Sequence, residues 1–269
     1  MKNELQLFIE KFQKPLQDYA IAKYRQKDFL ASLKICVMES KSLQEAIKTP
    51  NGQSSLFAAL RYAATTGLSL NPQEGKAALI AYDGKIQYQI MKNGIIELAM
   101  KSGKVEFVTA DVVHENDIFE LEKSGSGDKY KFVPARKNRG NVDGYYAAVK
   151  MKNGVTHVMY AEKKEIEEHA KKYSSLFKIK PQASPWSNSF DGMALKTMLK
   201  KLFRNITISP ELTSAVGGDD EIESGFERDI TPEPGMSAAE LSEKLDEPEK
   251  KPIEAKPDQK TEKKEKDIF

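Results

Sequence analysis

The hydrophobic period of this chain switches from helical to strand-like and back, which restricts it to a mixed fold. Up to Gly67, apolar residues recur at three- and four-residue steps. Residues 3–25 carry Leu5, Leu7, Phe8, Ile9 and Phe12 on one side of an expected helix, which Pro15 would break or kink. Phe29, Leu30, Leu33 and Val37 mark a second helix. Leu56, Phe57, Leu60, Ala63 and Ala64 mark a third, with Ser54 or Ser55 as its expected cap and Gly67 as its end. Beyond Gly67 the pattern becomes strand-like. Two apolar runs, 77–82 and 86–91, flank Asp83-Gly84. That dipeptide suits a type I′ hairpin turn, whose two central residues both need positive φ. Residues 94–102 return to helix, and Gly103 stands where a left-handed C-terminal cap belongs. Strands are expected at 105–113, 118–121 and 129–133, and a further hairpin at 145–151 and 155–160 across Asn153-Gly154. A polar helix follows at 162–173. The expected class is α+β: N-terminal helices, a central, mainly antiparallel sheet of hairpins, a C-terminal basic helix and a disordered acidic tail.

The basic helix lies between Pro185 and Pro210. Trp186, Phe190, Met193, Ala194, Thr197, Met198 and Leu202 form its apolar stripe. Lys196, Lys200 and Arg204 recur at i, i+4 and i+8, and Lys201 widens this second stripe. No acid occurs between Asp191 and Glu211, so the ridge has no local carboxylate partners and suits a polyanion. Two further clusters are candidates: Arg136, Lys137 and Arg139 in the loop PARKNRGN, expected to be flexible enough to clamp a strand, and Lys92, Lys101 and Lys104 around the short helix. Lys76 and Lys85, at the first hairpin, rank below them.

Net charge is only +2, but it is unevenly spread. Residues 210–269 hold 9 Lys/Arg against 18 Asp/Glu, leaving 33 basic and 22 acidic residues for 1–209. A basic body with an acidic tail suits a nucleic-acid binder, whose tail recruits a partner or competes for the basic surface. Residues 217–267, rich in Glu, Lys, Pro, Asp and Ser, have a disordered composition. Three parts are therefore expected: 1–25, a helical segment for oligomerisation; 26–210, a DNA-binding core; and 211–269, a largely disordered partner-binding tail. Cys36 is the only cysteine, which excludes an intramolecular disulfide and fits a reducing cytoplasm. Neither a secretory leader nor a run long enough to cross a membrane is read from the sequence.

Catalytic patterns are weak. His114, His157 and His169 lack metal-ligand spacing, and no GxxxxGK[ST] loop is present, so no cofactor is expected. Asp111, Glu115 and Asp117 in DVVHEND are the acids that a metal-dependent nuclease would need, although a strand end and turn also account for them. Tyr82, Tyr88, Tyr145, Tyr146 and Trp186 are candidate base-stacking residues, but each is expected to serve in the core.

Several segments resemble the RecT family of phage single-strand annealing proteins. One is Gly67-Leu68-Ser69-Leu70-Asn71-Pro72, leading into the first hairpin. Another is Gln87 followed by Gly94, Ile95, Leu98, Ala99, Lys101, Ser102 and Gly103. The third holds Trp186, Met193, Ala194, Lys196, Thr197, Leu202 and Phe203. Order and spacing carry the resemblance, which covers about 25–210. The chain departs from it at Met91-Lys92-Asn93-Gly94, where the family commonly has Gly-Tyr-Arg/Lys-Gly. The resemblance implies a homo-oligomer, a ring or a filament, that coats single-stranded DNA and anneals it into duplex without ATP. It also implies a 5′–3′ exonuclease and the host single-strand-binding protein as partners in bacterial cytoplasm, with no enzymatic activity of its own. A non-catalytic oligomeric adaptor is the remaining alternative to the nuclease.

Overall fold

The computed structural model describes residues 23–179 and 181–224. The expected helix at 3–25 lies almost wholly outside these residues, as does most of the expected tail. Among the described residues three helices come first: α1 (Lys23–Glu39), α2 (Lys41–Ile47) and α3 (Pro50–Thr66). Phe29, Leu33, Cys36 and Val37 of α1 are buried at helical spacing. Helix α3 begins earlier than expected. Thr49 is its N-cap, accepting from Gly52 N at 3.0 Å, and Pro50 fills the first position, where its missing N–H costs nothing. Ser55, one of the expected caps, instead accepts from Ile86 N at 2.8 Å and ties α3 to the first hairpin. Gly67 ends α3 with φ +61°.

A 3₁₀ turn at Pro72–Glu74 leads into β1 (Ala77–Tyr82) and β2 (Lys85–Ile90). These pair antiparallel, and Asp83 and Gly84 take φ +49° and +75°, as the type I′ turn requires. Helix α4 (Lys92–Lys101) starts in the tetrapeptide that departs from the family pattern. Its Gly94 is sterically required: a Cβ there would lie 2.0 Å from the Lys76 carbonyl oxygen.

The main sheet has strand order β3 (Val105–His114), β6 (Val142–Met151), β7 (Thr156–Glu162), all antiparallel. β4 (Ile118–Glu122) and β5 (Lys129–Val133) form a separate antiparallel hairpin. Helices α5 (Lys163–Tyr173), α6 (Ser175–Ile179), α7 (Pro185–Asn188), α8 (Phe190–Arg204) and α9 (Pro210–Ser224) complete the described chain. The α+β class with antiparallel hairpins is therefore the observed architecture.

Central strand β6 is buried without interruption from Gly144 to Val149, so it is covered on both faces. Tyr145, Ala147 and Val149 join the main core with α8 residues Ala194, Met198 and Leu202. Tyr146 and Ala148 join a second cluster with Val113 and Val158, covered by Phe119, Leu121, Tyr130 and Phe132 of the β4–β5 hairpin.

The boundary expected at 210 is displaced. Residues 210–224 form α9, and Leu212, Ala215, Val216 and Asp219 are buried. Its apolar residues are few, and they stand among acids and the Gly217-Gly218 pair, so the composition passes for tail.

Candidate nucleic-acid interface

The expected basic ridge splits in two. Lys196 and Lys200 are not exposed: each is 2% accessible, with its ammonium against the buried Asp219 carboxylate, at 2.9 Å and 2.7 Å. The reason is tertiary. α8 is buried from Ala194 to Lys200, one side packing on the main sheet and another meeting α9. Burial alone would raise the Asp219 pKa, but the two ammonium groups more than offset this and hold it below the usual carboxylate value. No acid does occur between Asp191 and Glu211, yet the carboxylate arrives from 19 and 23 residues away. Lys201 is half-buried and Arg204 is exposed at the C-terminal end of α8, where cations also complement the helix dipole.

The 134–141 loop is pinned, contrary to the expectation of a flexible clamp. Arg139 donates from Nε to Asp117 Oδ1 at 3.0 Å and from Nη2 to the Val112 carbonyl at 3.0 Å, and forms an ion pair with Asp117 Oδ2 at 2.5 Å. The Asp117 side chain has no solvent exposure and also accepts from Ala135 N and His114 N. Hydrogen bonding to Arg139, the largest influence, holds its pKa far below the usual carboxylate value. Asn116 Nδ2 donates to the Asn138 carbonyl at 2.9 Å, and Asn141 N to Glu115 Oε2 at 3.0 Å. Arg139 is thus a staple, while Arg136 and Lys137 stay exposed on the held loop.

The same bonds occupy the acids considered for metal. Asp117 serves Arg139, Glu115 serves Asn141, and Asp111 accepts from Val112 N at 2.7 Å. Among the described residues, no group of three or more potential ligands is arranged to hold a metal ion.

Around α4 the lysines have different surroundings. Lys101 is exposed and pairs with Glu97, which also holds Lys76 at 3.0 Å; Lys76 reaches Glu74 at 2.7 Å. Lys92 is half-buried in the first turn of α4. Lys104 is exposed beyond Gly103, and its carbonyl accepts from Lys152 N at 2.9 Å. Lys152, also exposed, was missed from sequence because 48 residues separate the two lysines; only the β3–β6 register joins them.

Most of the candidate aromatics are internal. Tyr88 shares a 2.8 Å hydrogen bond with Thr66, and Tyr145 donates to Asp191 at 2.6 Å. Burial pushes the Tyr146 pKa up to about 12. Trp186 is buried, edge-on to Phe190. Tyr82, at the first hairpin, is the exception at 42% exposed.

The family model described as RecT family matches residues 37–233. The "Uncharacterized protein YqaK" of Bacillus subtilis (strain 168) is 32% identical over 206 residues, covering 76% of this chain and 67% of that protein. "Protein RecT" of Escherichia coli (strain K12) is 29% identical over 175 residues, covering 62% of this chain and 63% of that protein.

Proposed function

The chain belongs to the RecT family, and from that premise we propose that it binds single-stranded DNA and anneals it to a complementary strand during homologous recombination. The family match across 37–233, nearly all of the described body, carries the reading. Annealing requires phosphates to be held while base edges stay free to test a second strand. Arg136, Lys137, Lys104, Lys152 and Arg204, all exposed, and the half-buried Lys92 and Lys201 suit sequence-independent phosphate contact. Lys101 joins them where a phosphate displaces Glu97. Lys196, Lys200 and Arg139 support the interface from within, holding α9 and the loop in place.

The reaction proceeds without ATP hydrolysis. One body covers only a short stretch of strand, so the working unit is a homo-oligomer, a ring or a filament, that holds contiguous bases in one register and then the annealed duplex. A 5′–3′ exonuclease supplies the single strand, and a host single-strand-binding protein is a second partner, in the cytoplasm of a bacterial host. Among the described residues no helix is long and apolar enough to cross a membrane.

Complementary oligonucleotides carrying a fluorophore and a quencher test the reading. The full chain should accelerate their pairing without ATP and leave strand length unchanged on a denaturing gel. Acceleration that requires ATP, strand cleavage, or no binding to single strands would refute it.

A further inference from the structure

The outer face of the main sheet is covered unevenly. Phe107, Thr109, Asp111 and Val113 of β3 stand opposite Lys150, Ala148, Tyr146 and Gly144 of β6. Those in turn stand opposite Thr156, Val158, Tyr160 and Glu162 of β7. Residues directly opposite share a face. The β4–β5 hairpin packs over Val113, Tyr146, Ala148 and Val158. The end row remains outside this cover: Phe107 is 44% exposed, and Lys150 is exposed beside it.

The backbone presents this ring. The β3–β6 register shifts between Val105 and Phe107, so Glu106 and Phe107 are both exposed where simple alternation would hide one. Three lysines lie at the same end of the two strands as the ring. Lys150 is directly across, and Lys104 and Lys152 close the same end of the two strands through the Lys152 N to Lys104 carbonyl bond. One acid, Glu106, lies among them and pairs with Lys150 at 2.8 Å. Both partners of that pair are about half exposed, so it is weak and open to exchange for a phosphate. An apolar face destined for another protein's core is poorly served by a rim of lysines. A flat ring beside cations does match a nucleobase linked to its phosphates.

We propose that Phe107, with Lys104, Lys150 and Lys152, is a stacking subsite for single-stranded DNA: the ring takes one base and the lysines take the flanking phosphates. The subsite rests on the annealing reading and adds to it a contact that an intact duplex, whose base faces are already stacked, cannot offer.

The full chain carrying F107W tests it, because the native Trp186 is buried at 4% exposure and supplies a constant background. Emission should be quenched by a thymine oligonucleotide and unchanged by an abasic strand of equal length. F107A should keep the wild-type melting temperature, weaken thymine-strand binding by about tenfold and leave abasic binding unaltered, and F107Y should restore affinity. Lys104→Ala with Lys152→Ala should weaken both strands alike and reduce the slope of log affinity against log salt by about 1.4. If the wild type binds DNA while F107A binds equally well and F107W is not quenched, the subsite is refuted and the annealing reading stands. If F107A instead lowers the mass of the DNA-free protein without changing base-dependent binding, the face joins copies of the chain, and the proposal is likewise overturned. No binding of single strands by the wild type would remove both readings.

Discussion

At the residue scale, Asp117 shows how a charge can serve the fold beside exposed cations. Its carboxylate satisfies Arg139 and two backbone N–H groups in a fully covered position. Its folded pKa is depressed, chiefly by hydrogen bonding to Arg139. The linked stabilisation is therefore fully present above the unfolded Asp value of about 3.9, and it is lost as pH falls from there through the lower folded value. Asp117→Asn keeps the shape and removes the charge. It should melt below wild type at neutral pH, with the gap narrowing as acid protonates the native carboxylate. A gap that stays constant from neutral pH into strong acid would show that hydrogen-bond geometry, and not charge, does the holding. Arg136→Ala with Lys137→Ala should leave melting alone, since both side chains are exposed.

At the element scale, α9 belongs to the body. It covers α8 with Leu212, Ala215 and Val216, and it supplies the Asp219 carboxylate that faces Lys196 and Lys200. Removing one member of a buried ionic group strands the others without water. Asp219→Ala should cost about 3–5 kcal/mol in urea unfolding, and Lys200→Ala should also destabilise. Arg204→Ala should instead weaken oligonucleotide binding and spare the melting temperature. A chain ending at residue 215 should fold poorly because it lacks Val216 and Asp219, whereas one ending at 224 should match the full chain. Equal stability of the two truncations would show that α9 is dispensable. The sequence pattern located α8 and its apolar stripe correctly, but it assigned α9 to the tail.

At the scale of the whole molecule, moving α9 into the body changes the charge distribution. Residues 225–269 hold 13 Asp/Glu and 9 Lys/Arg, so residues 1–224 carry 33 basic and 27 acidic groups. The body remains basic by six charges and the segment beyond it acidic by four, a weaker contrast than a boundary at 210 implies. Removing 225–269 should tighten single-strand binding at low salt. The difference should disappear near 1 M salt, where the screening length falls to about 3 Å. Binding isotherms of both chains across a salt series check this. A difference that persists at high salt would mean that the segment makes non-electrostatic contacts.

The sequence by itself determined what neighbouring residues decide. Asp83-Gly84 makes a turn because both positions take positive φ, and Gly67 and Gly103 end helices for the same steric reason. The switch from helical to strand-like spacing located the elements because most of them bury one face more than the other. Tertiary structure alone decided what covers the other faces. Lys196 and Lys200 look unpaired along the chain, yet they meet Asp219 because α9 folds back over α8. Arg139 looks like a free cation and reaches Asp117 across 22 residues. Lys104 and Lys152 become neighbours only through strand register. Periodicity records which side of an element is apolar, but charges interact through space, and their partners come from whichever segment packs there.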